Sequence, residues 1–293
     1  MKYKNAQDFR RALENRLGNL SKVSGMPHSR LRKLIAFDRF LARLFHGRSD
    51  HWVVKGGYAI QLRIGNQART TNDIDLLLME TDMDILPALR SAGTLDLGDW
   101  FTFEISPAAN TFQTESDVYR YFVQSRLDGR TFEDFHVDVG VGNPIIGKIE
   151  KIPTSDLLAF ADFRPIKVPC YPISQQIAEK LHAYTRPRKY GTSSRVKDFV
   201  DILLFAELWE IKKSELNNAI HATFNSAGTH PVPISFPSPP KDWGKNYLKM
   251  IKELGMNDIS LEEAYHRLQL FINPILELGT KGSKWNPSMW KWD

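Results

Sequence analysis

The sequence predicts an α+β protein: a mixed α/β first half over residues 1–150, followed by a mostly α-helical second half over residues 151–293. Three observations support this. Up to about residue 150, short apolar runs that end in glycine or polar turns alternate with helical stripes. The dipeptide Asp128-Gly129 separates two alternating segments, which is the turn chemistry of a β-hairpin. Beyond about residue 155, apolar residues recur at steps of three and four in successive segments, and prolines gather between them.

Each element has its own justification. Phe9, Leu13 and Leu17 stand four apart within residues 5–18, an amphipathic helix that Asn5 can cap. From Ser29 to Phe45 the stripe Leu31, Leu34, Ile35, Leu41, Leu44 and Phe45 marks a second helix. Its Arg30, Arg32, Lys33, Arg39 and Arg43, with Arg48 beyond the end, read either as a solvated face or as a surface for nucleic acid. Trp52-Val53-Val54 reads as a buried strand that passes through Gly56-Gly57 into a helix ending near Leu62. Asp73 to Met79 is a second strand, Asp82 to Ser91 a helix, and Trp100 to Ile105 a third strand. Val118 to Leu127 and Thr131 to Val141 are the hairpin arms. In the second half, helices are expected over Ser174 to Thr185, Arg195 to Trp209, Lys213 to Phe224, Trp243 to Leu254 and Leu261 to Leu278. Pro231, Pro233, Pro237, Pro239 and Pro240 form an extended surface connector or a strap between domains. Trp285, Trp290 and Trp292 are expected to dock the tail onto the protein's own surface.

Composition narrows the classes. The 293 residues carry 39 Lys and Arg against 34 Asp and Glu, a net charge of +5, with 42% hydrophobic and 25% charged residues. A chain of this size and balance buries a substantial core, which excludes wholesale disorder. Cys170 is the single cysteine, so neither an internal disulfide nor a cysteine-rich zinc site can form. The N-terminal residues hold no apolar signal core, and no apolar run is long enough to span a bilayer. A soluble cytoplasmic protein with no membrane partner is the expectation, and the modest positive charge is compatible with a polyanion.

The most informative stretch runs from Lys55-Gly56-Gly57 to Asp73-Ile74-Asp75. Strand alternation sends Ile74, Leu76 and Leu78 into a core and projects Asp73 and Asp75 together from the other face. Two carboxylates held that close repel one another unless a cation lies between them, and oxygen ligands favour Mg²⁺ or Mn²⁺ over zinc. Asp138, within Val137-Asp138-Val139, has the same inside-outside logic and is a candidate third metal ligand and general base. Upstream, a strand that ends in two glycines before a helix lets backbone N–H groups approach a phosphate, with Lys55 beside them.

Lys55-Gly56-Gly57 followed by Arg69-Thr70-Thr71-Asn72-Asp73-Ile74-Asp75 resembles the DNA polymerase β-type nucleotidyltransferase superfamily, and more closely the AbiEii/AbiGii (MenT-like) toxins. Gln176-Ile177-Ala178-Glu179-Lys180-Leu181-His182-Ala183 and Arg195-Val196-Lys197-Asp198-Phe199-Val200-Asp201-Ile202 are similar to the family's later motifs. With the Pro-rich segment leading to Trp243 and Tyr247, the likeness covers nearly the whole chain. It implies a nucleotidyltransferase core that moves nucleotides from an NTP to an RNA acceptor by a two-metal route, the acceptor being the 3′ end of a tRNA. Blocking that end would stop aminoacylation and arrest growth. It also implies an AbiEi-type antitoxin as partner. The motif places Lys55, Gly56, Gly57, Arg69 and Thr71 along the nucleotide, beside the metal-binding acids Asp73, Asp75 and Asp138 read from strand alternation. By the same comparison Lys180 touches the nucleotide's phosphates, and Asp201, with Asp198 nearby, is an acid of the second domain. Tyr58 departs from the Ser or Thr that relatives carry after the second glycine.

Gly142 to Lys148 spells GxxxxGK, yet Pro144 removes a donor and Ile149 replaces the Ser or Thr that would meet Mg²⁺, so a P-loop is not expected. No GxSxG is present. His136 shares a strand face with Asp138 and could ligate metal with it, whereas His182 reads as a helix-packing residue. The alternatives that stay open are transfer of a nucleotide or phosphate onto a protein side chain, and a non-catalytic nucleotide-binding module.

Overall fold

The computed structural model describes residues 2–46, 51–80, 82–108, 118–142, 144–187, 195–256, 259–277 and 283–293. The chain falls into two compact units, residues 1–142 with 149–170, and residues 143–148 with 171–293.

The first unit contains α1 (Ala6–Ser24), α2 (His28–Leu44), β1 (Trp52–Lys55), α3 (Gly56–Ile64), β2 (Asp73–Leu78), α4 (Ile85–Gly93), β3 (Phe101–Pro107), β4 (Val118–Leu127), β5 (Arg130–Val141), β6 (Glu150–Pro153) and β7 (Lys167–Cys170). Asn5 caps α1, its Oδ1 accepting from the Asp8 N–H at 2.8 Å, and Gly25 closes the helix in the left-handed region. The strands form one seven-stranded sheet in the order β3-β4-β5-β2-β1-β7-β6. At its centre β2 runs parallel to β5 and antiparallel to β1. Ile74, Leu76, Leu78, Val137 and Val139 share one buried cluster with Phe9, Leu13, Phe37 and Phe40 of the helices, so the opposite side of β2 and β5 is left for polar groups.

The first sheet takes in residues that the reading from sequence assigned to the second half. Glu150–Pro153 and Lys167–Cys170 pair antiparallel at its edge, and Cys170 pairs with Val54. Prolines hid these strands. Pro169 cannot donate to a ladder, but β1 and β7 meet at the single pair Val54–Cys170, so the missing donor costs little there.

The basic residues of α2 need the largest correction. Arg39 and Arg43 are 4% and 1% exposed and lie on neither a solvated nor a nucleic-acid face. Arg43 donates to Asp99 through both terminal nitrogens and to the Phe101 carbonyl at 2.7 Å. Arg39 pairs with Asp38 at 2.7 Å and with Asp99 at 3.5 Å. Burial pushes the Asp38 carboxyl up, opposed by the Arg39 charge. Arg32 pairs with Glu14 and caps the Phe132 carbonyl, while Arg30 donates to Gln61 at 2.6 Å and to the Ala68 carbonyl at 2.5 Å. Lys33 reaches Asn72 at 3.2 Å. These cations hold the first unit together, and Arg48 lies outside the described residues.

The second unit carries α5 (Ile173–Thr185), α6 (Val196–Leu208), α7 (Lys213–Ala227), α8 (Gly244–Glu253) and α9 (Leu261–Leu276), with a small antiparallel sheet of β8 (Ile211–Lys212), β9 (Lys284–Asn286) and β10 (Lys291–Trp292). Each helix lies where the periodicity places it. The tail docks as expected: Trp285 is fully buried and donates to the Ala206 carbonyl at 2.7 Å, and Trp292 stacks on Phe271. In the Pro-rich connector Phe236 is buried against Tyr184, whose hydroxyl donates to the Pro237 carbonyl at 2.7 Å. His182 packs edge-on against Phe224 and stacks on His230, and burial lowers its pKa to about 4. No described helix is long and apolar enough to cross a membrane.

Replacing Arg43 by Ala removes both close donors from Asp99, which is 0% exposed, and leaves its buried charge with only the more distant Arg39. The expected loss is about 3–5 kcal/mol in equilibrium urea denaturation. Lys249→Ala on the exposed face of α8 should stay within about 0.5 kcal/mol of the parent.

Candidate active site

The polar side of the central strands is built by register. Asp75 pairs with Lys55 of β1 on one side and with Asp138 of β5 on the other, while Asp73 pairs with His136. Paired residues share a sheet face, so Asp73, Asp75 and Asp138 lie together on neighbouring strands, with Lys55 at the end of the row. Hydrophobic alternation fixes that face, because a slip of one residue would bury the acids and expose Ile74 and Leu76.

The glycine turn is shaped around these acids. Gly56 opens α3 with φ +64°, and a Cβ there would come within 1.9 Å of Asp75 Oδ2. Glycine is therefore required twice, for the left-handed backbone and for the close approach of the carboxylate. At Gly57 a Cβ would lie 2.8 Å from Thr71 Oγ1 and 3.4 Å from Arg69 Nη2. Thus Arg69 and Thr71, which the resemblance assigns to the nucleotide, reach the first turn of α3. The Thr71 hydroxyl also donates to Asp73 Oδ1 at 2.9 Å and orients that carboxylate. Arg30 and Lys33, anchored on Ala68 and Asn72, hold the segment that carries Arg69 and Thr71. Tyr58 turns away from the cradle: it is 2% exposed and packs edge-on against Phe37, so it does not replace the missing Ser or Thr hydroxyl.

Asp138 has a partner that the sequence reading did not include. Arg120 Nε donates to Asp138 Oδ1 at 2.7 Å and its Nη2 to Oδ2 at 2.6 Å. The guanidinium is held protonated more firmly than usual, first by the Asp138 hydrogen bonds and also by the charges of Asp73 and Asp75. Among the described residues no group of three or more His, Cys, Asp or Glu is arranged to hold a metal ion. Asp73 and Asp75 form a two-carboxylate pair, which suits Mg²⁺, an ion that commonly takes one or two protein carboxylates and completes its shell with phosphate oxygens and water. His136 lies edge-on to Phe122.

Lys180, Asp198 and Asp201 belong to the second unit and form their own cluster. Lys180 is 8% exposed, with its ammonium 2.6 Å from Asp201 Oδ2 and 3.6 Å from Asp198 Oδ1, and Arg195 Nη1 lies 3.4 Å from Asp198. The two acids share one face of α6, as their spacing of three predicts. The lysine head does not snorkel to solvent. The GxxxxGK look-alike is followed by β6 at Glu150, where a P-loop needs a helix.

Arg120 had a readable signal. Counting outward from Asp128-Gly129 pairs Leu127 with Arg130 and Arg126 with Thr131, and would set Tyr119 opposite Asp138. A bulge between Ser125 and Arg126 shifts the register and sets Arg120 there instead. The sequence hints at it only in that two phenylalanines, Phe132 and Phe135, stand three apart and so break strict alternation; the structure buries both. The Ser125 hydroxyl holds the bulge, donating to the Glu133 carbonyl at 2.6 Å.

Gly56→Ala should destabilise the chain by about 1–3 kcal/mol, the range for strain at a left-handed position. Gly228→Ala, also left-handed but with open space around it, should cost no more than about half as much in the same urea titration. Equal losses at the two positions would show that Asp75 does not press on Gly56.

Among solved structures the chain is similar to MenT4, a nucleotidyltransferase toxin of Mycobacterium tuberculosis H37Rv, with 15% identity, a TM-score of 0.55, and coverage of 89% of this chain and 97% of that one. It is also similar to JHP933 of Helicobacter pylori, at 16% identity and a TM-score of 0.46, covering 83% of this chain and 91% of that one. At such identities the first likeness shows a shared fold. Among curated proteins none matches the chain in sequence. The family model described as the nucleotidyl transferase AbiEii toxin of type IV toxin–antitoxin systems matches residues 39–267, which include both glycines, every acid of the row and Lys180. The chain belongs to the AbiEii family of nucleotidyl transferase toxins.

Proposed function

We propose that this protein transfers a nucleotide from an NTP to an RNA acceptor, the 3′ end of a tRNA, in a metal-dependent reaction. The observation that carries this reading is the row Lys55–Asp75–Asp138, with Asp73 beside it and the Gly56-Gly57 turn and the N-terminus of α3 at its end. Backbone N–H groups at Gly57 and the first turn of α3 receive the triphosphate, aided by the Arg69 guanidinium and the Thr71 hydroxyl. Asp73 and Asp75, with Asp138 as a third ligand, would hold Mg²⁺ or Mn²⁺, which would neutralise charge on the transferring phosphoryl group and the leaving pyrophosphate. Asp138 accepts the proton of the acceptor hydroxyl. Lys180 binds phosphate, held in place by Asp201 and Asp198, which is the role the family resemblance gives it. An AbiEi-type antitoxin is the expected partner from the family.

Support for an RNA acceptor comes from α8. Lys245, Lys249 and Lys252, with Lys241 in the preceding turn, are exposed on the side opposite the buried Trp243, Tyr247 and Ile251. Along α8, at ~1.5 Å per residue, Lys245 and Lys249 stand about 6 Å apart and Lys249 and Lys252 about 4.5 Å. Several other cations of this unit sit against acids, as in Lys212–Glu215, Arg267–Glu263, Lys284–Glu210 and Lys291–Asp293. The four lysines have no such partner among the described residues. A row of unpaired ammonium groups fits a phosphate backbone, a surface that α2 does not supply.

Two measurements test the reading. Purified protein given each labelled NTP and total RNA should label tRNA, and Asp73→Asn, Asp75→Asn or Lys180→Ala should lower labelling at least about a hundredfold. Label found on protein by mass spectrometry, with none on RNA, would show a protein acceptor. Replacing Lys241, Lys245, Lys249 and Lys252 together by Gln should weaken RNA binding and lower its salt slope by about one unit per lysine that touches a phosphate. An unchanged slope would return α8 to a solvated face.

A further inference from the structure

Arg120 is placed opposite Asp138 by the backbone. The bulge at Ser125 and Arg126 sets the pairing, and paired residues share a sheet face, so the Arg120 side chain leaves the sheet on the side of the acid row. Both Asp138 oxygens accept from it. In that state the guanidinium occupies both carboxylate oxygens, so neither is free for a metal ion or for an acceptor hydroxyl. The arginine side chain is 51% exposed against 12% for Asp138, so the pair is open to solvent on the arginine side. A half-exposed pair of this kind contributes little net stability, and a divalent cation carries twice the charge.

We propose that Arg120 is the resident counter-ion of the acid row: it occupies Asp138 when metal is absent, competes there with the incoming divalent cation, and releases the carboxylate when the cation binds. This rests on the reading of Asp73, Asp75 and Asp138 as the metal-binding acids. Without Arg120, three carboxylates would face one another across neighbouring strands, uncompensated on the Asp138 side. The released guanidinium is long, exposed and shaped for two-pronged contact with phosphate, so it can follow the nucleotide that arrives with the metal. Arg120 is therefore a positioning residue that ties readiness of the base to loading of the site.

The test is Mn²⁺ binding without nucleotide, followed by electron paramagnetic resonance, for the parent, Arg120→Gln, Asp138→Asn and the double variant. Arg120→Gln should tighten Mn²⁺ binding about threefold or more. The gain should vanish in the Asp138→Asn background, and Arg120→Lys, which keeps charge but loses the two-pronged geometry, should fall between. An unchanged or weaker affinity in Arg120→Gln, or an equal gain in both backgrounds, overturns the proposal. A measurement on the parent protein avoids any folding defect: the Arg120 Nε–H resonance should move or broaden when Mg²⁺ is added, and a resonance that stays fixed at saturating Mg²⁺ counts against the exchange. Asp75→Asn separates the two readings. If it loses Mn²⁺ while Arg120→Gln matches the parent, the counter-ion alone is wrong. If Asp75→Asn binds Mn²⁺ as the parent does, the metal assignment falls as well.

Discussion

Everything in the first unit is arranged around like charges on neighbouring strands. Parallel pairing of β2 with β5 sets Asp75 beside Asp138, and Asp73 follows on the same face. Strands spaced about 5 Å apart hold such carboxylates within strong mutual repulsion. The fold offsets it locally. Thr71 donates to Asp73, Gly56 gives Asp75 a place at the start of α3, and Arg120 neutralises Asp138. Each compensating group, whether hydroxyl, helix N-terminus or guanidinium, is also of a kind that recognises phosphate.

The protein uses its other charges in two distinct ways. Arg39 and Arg43, paired with Asp38 and Asp99 inside the first unit, tie α2 to the start of β3. Such buried pairs add little over an apolar core but are costly to break singly, so they fix one arrangement of the elements. In the second unit Lys180 is handled similarly by Asp198 and Asp201, two acids on one helix face that hold a single ammonium. The lysines of α8 are the contrast, a surface without acidic partners among the described residues. Net charge alone does not distinguish these uses, and the burial of each side chain does.

Much of the fold was legible in the residues because it depends on short-range periodicity. The stripe Phe9, Leu13, Leu17, the alternation of Ile74, Leu76 and Leu78, the Asp128-Gly129 turn and the spacing of the later helices each record which side faces the core. Strands β6 and β7 were not legible, since Pro153 and Pro169 contradict local strand preference, and pairing at the sheet edge overrides it. The arginines of α2 were misread for a related reason. A helical wheel records that Arg39 and Arg43 are charged, but their partner Asp99 stands more than fifty residues away in sequence.

The sequence by itself determined which residues are candidates for chemistry and which face of each element they occupy. Strand parity sets Asp73 and Asp75 side by side, and two successive glycines allow the close approach that Asp75 makes. Tertiary structure alone decided the neighbours across strands. The Ser125 bulge turned a pairing of Asp138 with Tyr119 into one with Arg120, and so gave the acid a counter-ion. The reason is geometric: alternation repeats every two residues and is written locally, whereas register between strands is a long-range choice that one extra residue reverses.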